Sequence, residues 1–243
     1  MRVLVVTAVT AEADSVAAGL ARAGYAPAGE ESVRPGAAQP PLVRFRAEGS
    51  PVAVDVLPAG VGPAAAAAGT ALALARAPYR LVISAGIGGG FPGAAPLGSL
   101  VVGTDLVAAD LGAGSPEGFL PLPGLGFGRD RLAAPQGLGQ DVARALGAPH
   151  GTVLTVSTAT GTAERAAELL ARHPGVLAEA MEGFGVAEAA DQHGVPVLEI
   201  RAVSNSVGPR DRSAWRIGDA LAALGDACGK LPPVLESWTP HEH

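Results

Sequence analysis

Apolar and polar positions along the chain fall into blocks that switch between strand and helix periods. Residues 3–9 are almost continuously apolar, as expected of a strand buried on both faces of a parallel sheet. Residues 11–23 predict a helix. Residues 42–47 and 52–57 read as strands joined across Glu48-Gly49-Ser50, a hairpin signal. The alanine-rich stretch 63–77 predicts a helix, with Pro63 in its first turn and Pro78 closing it. Residues 81–85 predict another buried strand, which runs into a glycine cluster at 86–90. Further strands are expected at 99–107, 152–157 and 196–203, and helices at 162–172, 182–193 and 211–229, with a frayed tail from Lys230. Residues 111–129, rich in Gly and Pro, predict a long loop of the kind that often serves as a lid.

This alternation predicts an α/β fold, a three-layer sandwich whose central mixed, largely parallel sheet is flanked by helices. No linker or internal repeat is evident, so one domain over residues 1–243 is expected. Ligands of open α/β sheets bind at the carboxyl ends of the strands. That rule points to five segments: 7–12, 86–91, 157–161, 180–184 and 204–212.

Composition narrows the partners. Hydrophobic residues make up 48% but aromatics only 4%, so the core must be built from Ala, Val and Leu. The net charge of −6, with no basic block, argues against nucleic acid. One cysteine, Cys228, excludes a disulfide framework and favours a reducing, cytoplasmic setting. The apolar N-terminal run is too brief for a signal peptide, and no stretch is long enough to predict a membrane span. Scattered histidines give no zinc spacing, and neither metal nor cofactor is expected.

Each candidate segment admits a structural and a chemical role. Glu12 at a helix start can simply favour the helix dipole, or it can deprotonate a water molecule. The strand–glycine segment around Ala85, Gly86 and Ile87 is either a tight turn or a place where backbone approaches a ligand. Only half of a dinucleotide fingerprint is present there, since Phe91 stands where the third glycine belongs. Met181 and Glu182 open a helix; the carboxylate can accept from two neighbouring hydroxyls. Arg201 within an apolar strand needs a partner, and Glu199 on the same face can supply it. Ser204 and Asn205 end that strand, and the Asn amide both donates and accepts. Arg210, Arg212 and Trp215 form either a solvated helix face or a receptor for a carboxylate and an aromatic ring. Asp211 between them can cap a helix.

In this order, the segments resemble the nucleoside phosphorylase/nucleosidase superfamily over nearly the whole chain. The residues that carry the likeness are Glu12 after the first strand, the glycine cluster with 97–102, Ala180-Met181-Glu182-Gly183, and Arg201-Ala202-Val203-Ser204-Asn205. The resemblance is strongest to methylthioadenosine/S-adenosylhomocysteine nucleosidases and to futalosine hydrolases, and 204–212 with Trp215 looks like the latter. It implies a homo-oligomer that binds a small purine nucleoside. Glu12 then activates water, Met181 and Glu182 bind ribose, and Asn205 stands where the adenine-specific enzymes carry Asp. Ile87 replaces a common Ser/Thr, leaving the glycine segment to contribute shape and backbone contacts.

The Asn fits a hypoxanthine edge: its NH₂ donates to O6 and its carbonyl accepts from N7–H. Three alternatives stand beside futalosine hydrolysis. A methylthioadenosine-type or aminodeoxyfutalosine nucleosidase is disfavoured by Asn205. A 6-oxopurine nucleoside phosphorylase wants phosphate-binding arginines near the glycines, and none lies between Arg80 and Arg129. A non-catalytic nucleoside-binding protein would have no need of Glu12.

Overall fold

The first strand, β1 (Arg2–Thr7), is buried along almost its whole length, as its apolar run requires. The structure, a computed structural model, describes residues 1–33 and 41–238. After β1 come α1 (Thr10–Arg22), β2 (Ala26–Glu31), β3 (Leu42–Arg46), β4 (Ala53–Pro58), α2 (Pro63–Leu74), β5 (Leu81–Gly90) and β6 (Leu100–Ala108). A small hairpin of β7 (Gly112–Ser115) and β8 (Gly118–Pro121) precedes β9 (Arg131–Ala133) and α3 (Gln136–Leu146). The chain continues through β10 (His150–Thr155), α4 (Ala163–Arg172), β11 (Val176–Ala180), α5 (Gly183–Gln192), β12 (Val197–Ser206) and α6 (Ile217–Ser237).

The main sheet has the order β11-β10-β6-β12-β5-β1-β4-β3-β2, with β9 added on β6. Parallel pairing joins β4, β1, β5 and β12, and again β6, β10 and β11. Antiparallel pairing forms the β2–β3–β4 edge, where the expected hairpin lies, and the seam between β12 and β6. β11 also pairs antiparallel with β5, through Ala178 with Gly90 and Glu179 with Gly89. Strands β5, β12, β6, β10 and β11 therefore close on themselves. Helices flank the sheet, α1 packing on α6 and α6 on α3, while α2 packs on α5.

Four expectations need correction. The glycine cluster is strand: β5 continues to Gly90, laddered with β12 on one side and β11 on the other. Its glycines make room for neighbours, since a Cβ on Gly86 would lie 2.6 Å from both Arg201 Nη1 and Glu12 Oε1. Residues 111–129 hold the β7–β8 hairpin and a short 3₁₀ turn at Leu122–Leu125, with Phe119 under the Arg172 guanidinium. The last helix starts at Ile217, not 211, after a separate 3₁₀ turn at Arg212–Ala214. It does not fray from Lys230: Leu231, Pro232 and Leu235 are buried, and that packing carries the helix to Ser237 through two prolines. The tail beyond residue 238 lies outside the described residues.

Elements missed by the pattern have weak local signals. β2 is fully exposed, as edge strands can be, and its sequence Ala-Pro-Ala-Gly-Glu-Glu has no apolar alternation. α3 has two glycines in its first turn, but buries Leu138, Val142 and Leu146 at helical spacing. No helix among the described residues is long and apolar enough to cross a membrane.

Candidate active site

All five segments at strand ends contribute to one cavity of about 270 Å³. Ala8, Val9 and Glu12 follow β1; Ile87, Gly88 and Gly89 belong to the far half of β5; Ala159 and Thr160 follow β10. Ala180, Met181 and Glu182 join β11 to α5, and Ser204, Asn205 and Ser206 end β12. Arg210 and Trp215 close the rim. Ala85 and Gly86 are buried behind this wall and do not line it, so a direct contact of these two with a ligand is not what the geometry offers. Arg212 stands off the lining too, beside the Trp215 ring. No residue of 111–129 lines the cavity, which leaves the lid expectation without a geometric basis.

Glu12 occupies the third position of α1 and folds back on the helix start. Its Oε2 accepts from the N–H groups of Ala8 at 2.9 Å and Val9 at 3.2 Å, as half of a capping box does. Its Oε1 accepts from Ile87 N–H at 2.9 Å. The structural and chemical readings of Glu12 therefore coexist. A carboxylate offers about four acceptor positions, and three are filled, leaving one on Oε1. Burial raises the Glu12 carboxyl above its ordinary range, outweighing the Arg201 charge and the backbone N–H groups that lower it.

Beneath Glu12 lies Arg201, a fully buried guanidinium. Its Nε donates to Glu199 Oε1 at 2.8 Å, its Nη1 to Glu182 Oε2 at 3.2 Å, and its Nη2 to Ser84 Oγ at 2.9 Å. The ion pair with Glu199 anticipated from the strand alternation is present, and Glu182 joins it. Burial works against the Arg201 charge, but Glu199, Glu182 and Glu12 outweigh it and hold its pKa above the ordinary range. Glu199 itself is raised by burial, which exceeds the opposing pull of Arg201.

Glu182 is held on both oxygens. Oε1 accepts from Gly62 N–H at 3.2 Å, at the start of α2, and Oε2 accepts from Arg201. One acceptor position per oxygen stays open, which suits two vicinal hydroxyls. At the end of β12, Asn205 Oδ1 lies 2.9 Å from Ser204 Oγ, which is also 3.1 Å from the Gly88 carbonyl. Asn205 Nδ2 donates to Ser206 O at 3.1 Å. The amide thus keeps at least one donor and one acceptor for a ligand.

At the rim, Arg210 and Arg212 both lie over the Trp215 indole, 5.3 and 5.7 Å from its centroid. Such cation–π contacts hold the guanidinium carbon skeletons while leaving N–H donors free. Asp211 accepts from the N–H of Ser213 at 3.0 Å, capping the short 3₁₀ turn rather than a long helix. Hydrogen bonds from Ser213 lower its carboxyl below the usual range.

Among the charged residues that line the cavity, Glu179 escaped the sequence reading. Glu179, in β11, is buried, and its carboxylate accepts from Thr160 N–H at 2.8 Å and from the Thr160 hydroxyl. Burial raises it above the ordinary carboxylate range, opposed by those two bonds. An acid inside the apolar run Val176-Leu177-Ala178-Glu179-Ala180 was the signal available.

Comparison with known proteins fits this architecture. The sequence pattern of the phosphorylase superfamily matches residues 2–232. The chain is 61% identical to a futalosine hydrolase of Streptomyces coelicolor over the full length of both. It is 46% identical to a futalosine hydrolase of Acidothermus cellulolyticus, over 94% of this chain and 89% of that one. Among solved structures, an S-adenosylhomocysteine nucleosidase of Streptococcus pyogenes in complex with 5-methylthiotubericidin superposes with a TM-score of 0.79. That match covers 99% of this chain and 98% of the other at 18% identity, and so speaks to the fold. The chain belongs to the phosphorylase superfamily and, within it, to the futalosine hydrolase family.

Proposed function

We propose that this protein is an N-ribosyl hydrolase that cleaves futalosine to hypoxanthine and dehypoxanthine futalosine, a step of menaquinone biosynthesis. The observation that carries the reading is Asn205, a carboxamide with one donor and one acceptor free at the cavity wall of a futalosine hydrolase family member. A departing hypoxanthine needs that pair: a donor for O6 and an acceptor for N7–H.

The roles follow from the open hydrogen-bonding positions. Glu182 accepts from the 2′- and 3′-hydroxyls through the one free position on each oxygen. Met181, partly exposed in the cavity, packs on the sugar face. The glycosidic bond breaks ahead of water attack, and the buried carboxylates favour the oxocarbenium-like sugar. The base leaves with a proton from solvent on N7, and Asn205 holds it by donating to O6 and accepting from N7–H. The remaining acceptor on Glu12 Oε1 takes the proton from the attacking water. Arg210, the one cationic residue lining the cavity among the described residues, meets the carboxylate of the benzoyl arm, with Arg212 and Trp215 beside it.

Arg201 is engaged by Glu199, Glu182 and Ser84, so it has little to offer a phosphate. That favours water over phosphorolysis. The test is incubation of the protein with futalosine, aminodeoxyfutalosine, inosine and methylthioadenosine, with free base quantified with and without phosphate. Hypoxanthine released from futalosine at a rate independent of phosphate is expected. Dependence on phosphate, or preferred release of adenine, contradicts the proposal.

A further inference from the structure

Glu179 is a buried carboxylate in the cavity wall to which the mechanism above assigns no work. In the sheet it pairs with Gly89 of β5, and Gly89 pairs on its other side with Asn205 of β12. The row Glu179–Gly89–Asn205 sets a carboxylate and a carboxamide on alternate strands. Their Cα atoms are roughly 10 Å apart, twice the strand spacing. All three residues line the same cavity. Between them the wall is bare backbone: a Cβ on Gly89 would lie 2.9 Å from Val207 Cγ2 and 3.2 Å from Asn205 Nδ2.

The carboxylate is pinned. Thr160 donates to each of its oxygens, one bond from the backbone N–H and one from the hydroxyl. About two of its four acceptor positions stay open. A buried acid so oriented, with acceptor capacity left over and facing a cavity, is built to receive a donor.

We propose that Glu179 accepts the N1–H of a 6-oxopurine base whose O6 and N7 meet Asn205. The inference rests on the Asn205 reading above and extends it along the base. A 6-oxopurine carries a hydrogen at N1, whereas a 6-aminopurine carries a lone pair there. A carboxylate complements the first and faces the second with two acceptors in contact. Position 6 is then read from β12 and position 1 from β11, across a floor without side chains. Each mismatch leaves a buried polar group unpaired, and sites built this way discriminate strongly.

The test uses the free bases hypoxanthine and adenine, with dissociation constants measured by calorimetry for the wild type, Glu179→Ala and Glu179→Gln. Wild type should favour hypoxanthine. Glu179→Ala should weaken hypoxanthine by about 10- to 100-fold, the effect of one unsatisfied buried group, and adenine by less than about 3-fold. Glu179→Gln keeps the size of the side chain should the alanine variant fail to fold. Its amide can donate to N1 of adenine, so the hypoxanthine/adenine ratio should move toward adenine by about tenfold or more. Equal losses on both bases, an unmoved ratio in Glu179→Gln, or a wild type without preference would each overturn the inference. Selective hypoxanthine binding by a wild type that leaves futalosine intact would sink the substrate assignment while leaving the role of Glu179 standing.

Discussion

The backbone N–H of Ile87 donates to Glu12 Oε1 at 2.9 Å across 75 residues of sequence, tying the first helix to the glycine half of β5. With Ala8 and Val9 holding the other oxygen, the carboxylate reaches the cavity in one fixed orientation. The proposed chemistry depends on its one free acceptor position.

Glu12→Gln should therefore lower kcat by roughly 10²–10⁴-fold, the usual effect of losing a general base. The amide nitrogen cannot accept, and it must face at least one backbone N–H. Affinity for a non-hydrolysable nucleoside should change far less than turnover. Steady-state kinetics with a binding measurement on the same variant decides it: near-wild-type kcat removes Glu12 from the mechanism.

The same residue sets a pH dependence. Burial raises the Glu12 carboxyl above the ordinary glutamate range, against the lowering pull of Arg201 and the backbone N–H groups. A general base works ionised, so kcat/KM should fall as pH drops through that raised value and level off above it. The acid limb of the profile should lie above the ordinary glutamate range and vanish from the residual activity of Glu12→Gln. A limb within or below the ordinary glutamate range, or one that persists in the variant, assigns the titration elsewhere.

Much of this was legible along the chain, for an identifiable reason. Apolar strands that end in polar residues marked β1 and β12, and a helix start marked the turn into α5, so that Glu12, Asn205 and Glu182 stood out as candidates. The ion pair of Arg201 with Glu199 followed from alternation along one strand. For Gly86 the local pattern offers either a tight turn or a close backbone approach to a ligand. Its actual reason is non-local: the space is taken by Arg201 and Glu12, from two other elements. β11 went unnoticed because five residues between a helix and a helix-opening turn carry too short a period. With it went Glu179, whose place opposite Asn205 exists only once β11 pairs with β5.

Arg201 joins stability to function. Its guanidinium is fully buried between Glu199 and Glu182. Truncation to Ala would strand those carboxylates and open a hole under Glu12. A loss of about 3–5 kcal/mol in unfolding free energy is expected, the range for breaking a buried pair on one side. Denaturant titration measures it; a loss below about 1 kcal/mol would place the pair among weak surface contacts.

Arg210 and Arg212 should matter for one substrate and not the other. Both lie over Trp215, and no carboxylate among the described residues forms an ion pair with either. Alanine at Arg210 should raise the KM for futalosine by roughly tenfold or more, the scale of one charge-assisted hydrogen bond. Residual cleavage of inosine, which lacks the benzoyl arm, should hardly change. Arg212→Ala should act in the same direction and less, since it stands off the cavity lining. Equal losses on both substrates would mean the cluster only shapes the 3₁₀ turn.

The most direct test of the whole account is the ratio of kcat/KM for futalosine over aminodeoxyfutalosine in wild type and Asn205→Asp. In the wild type the Nδ2 group has a donor for O6 and Oδ1 an acceptor for N7–H. An ionised Asp would meet O6 with no donor, while a protonated one suits N7 and the 6-amino group of adenine. The unsatisfied pair costs on the order of 1–3 kcal/mol, so the ratio should fall by about 10- to 100-fold in the variant. A ratio that stays where the wild type has it would show that Asn205 does not read position 6, and the assignment to a 6-oxopurine nucleoside would fail with it.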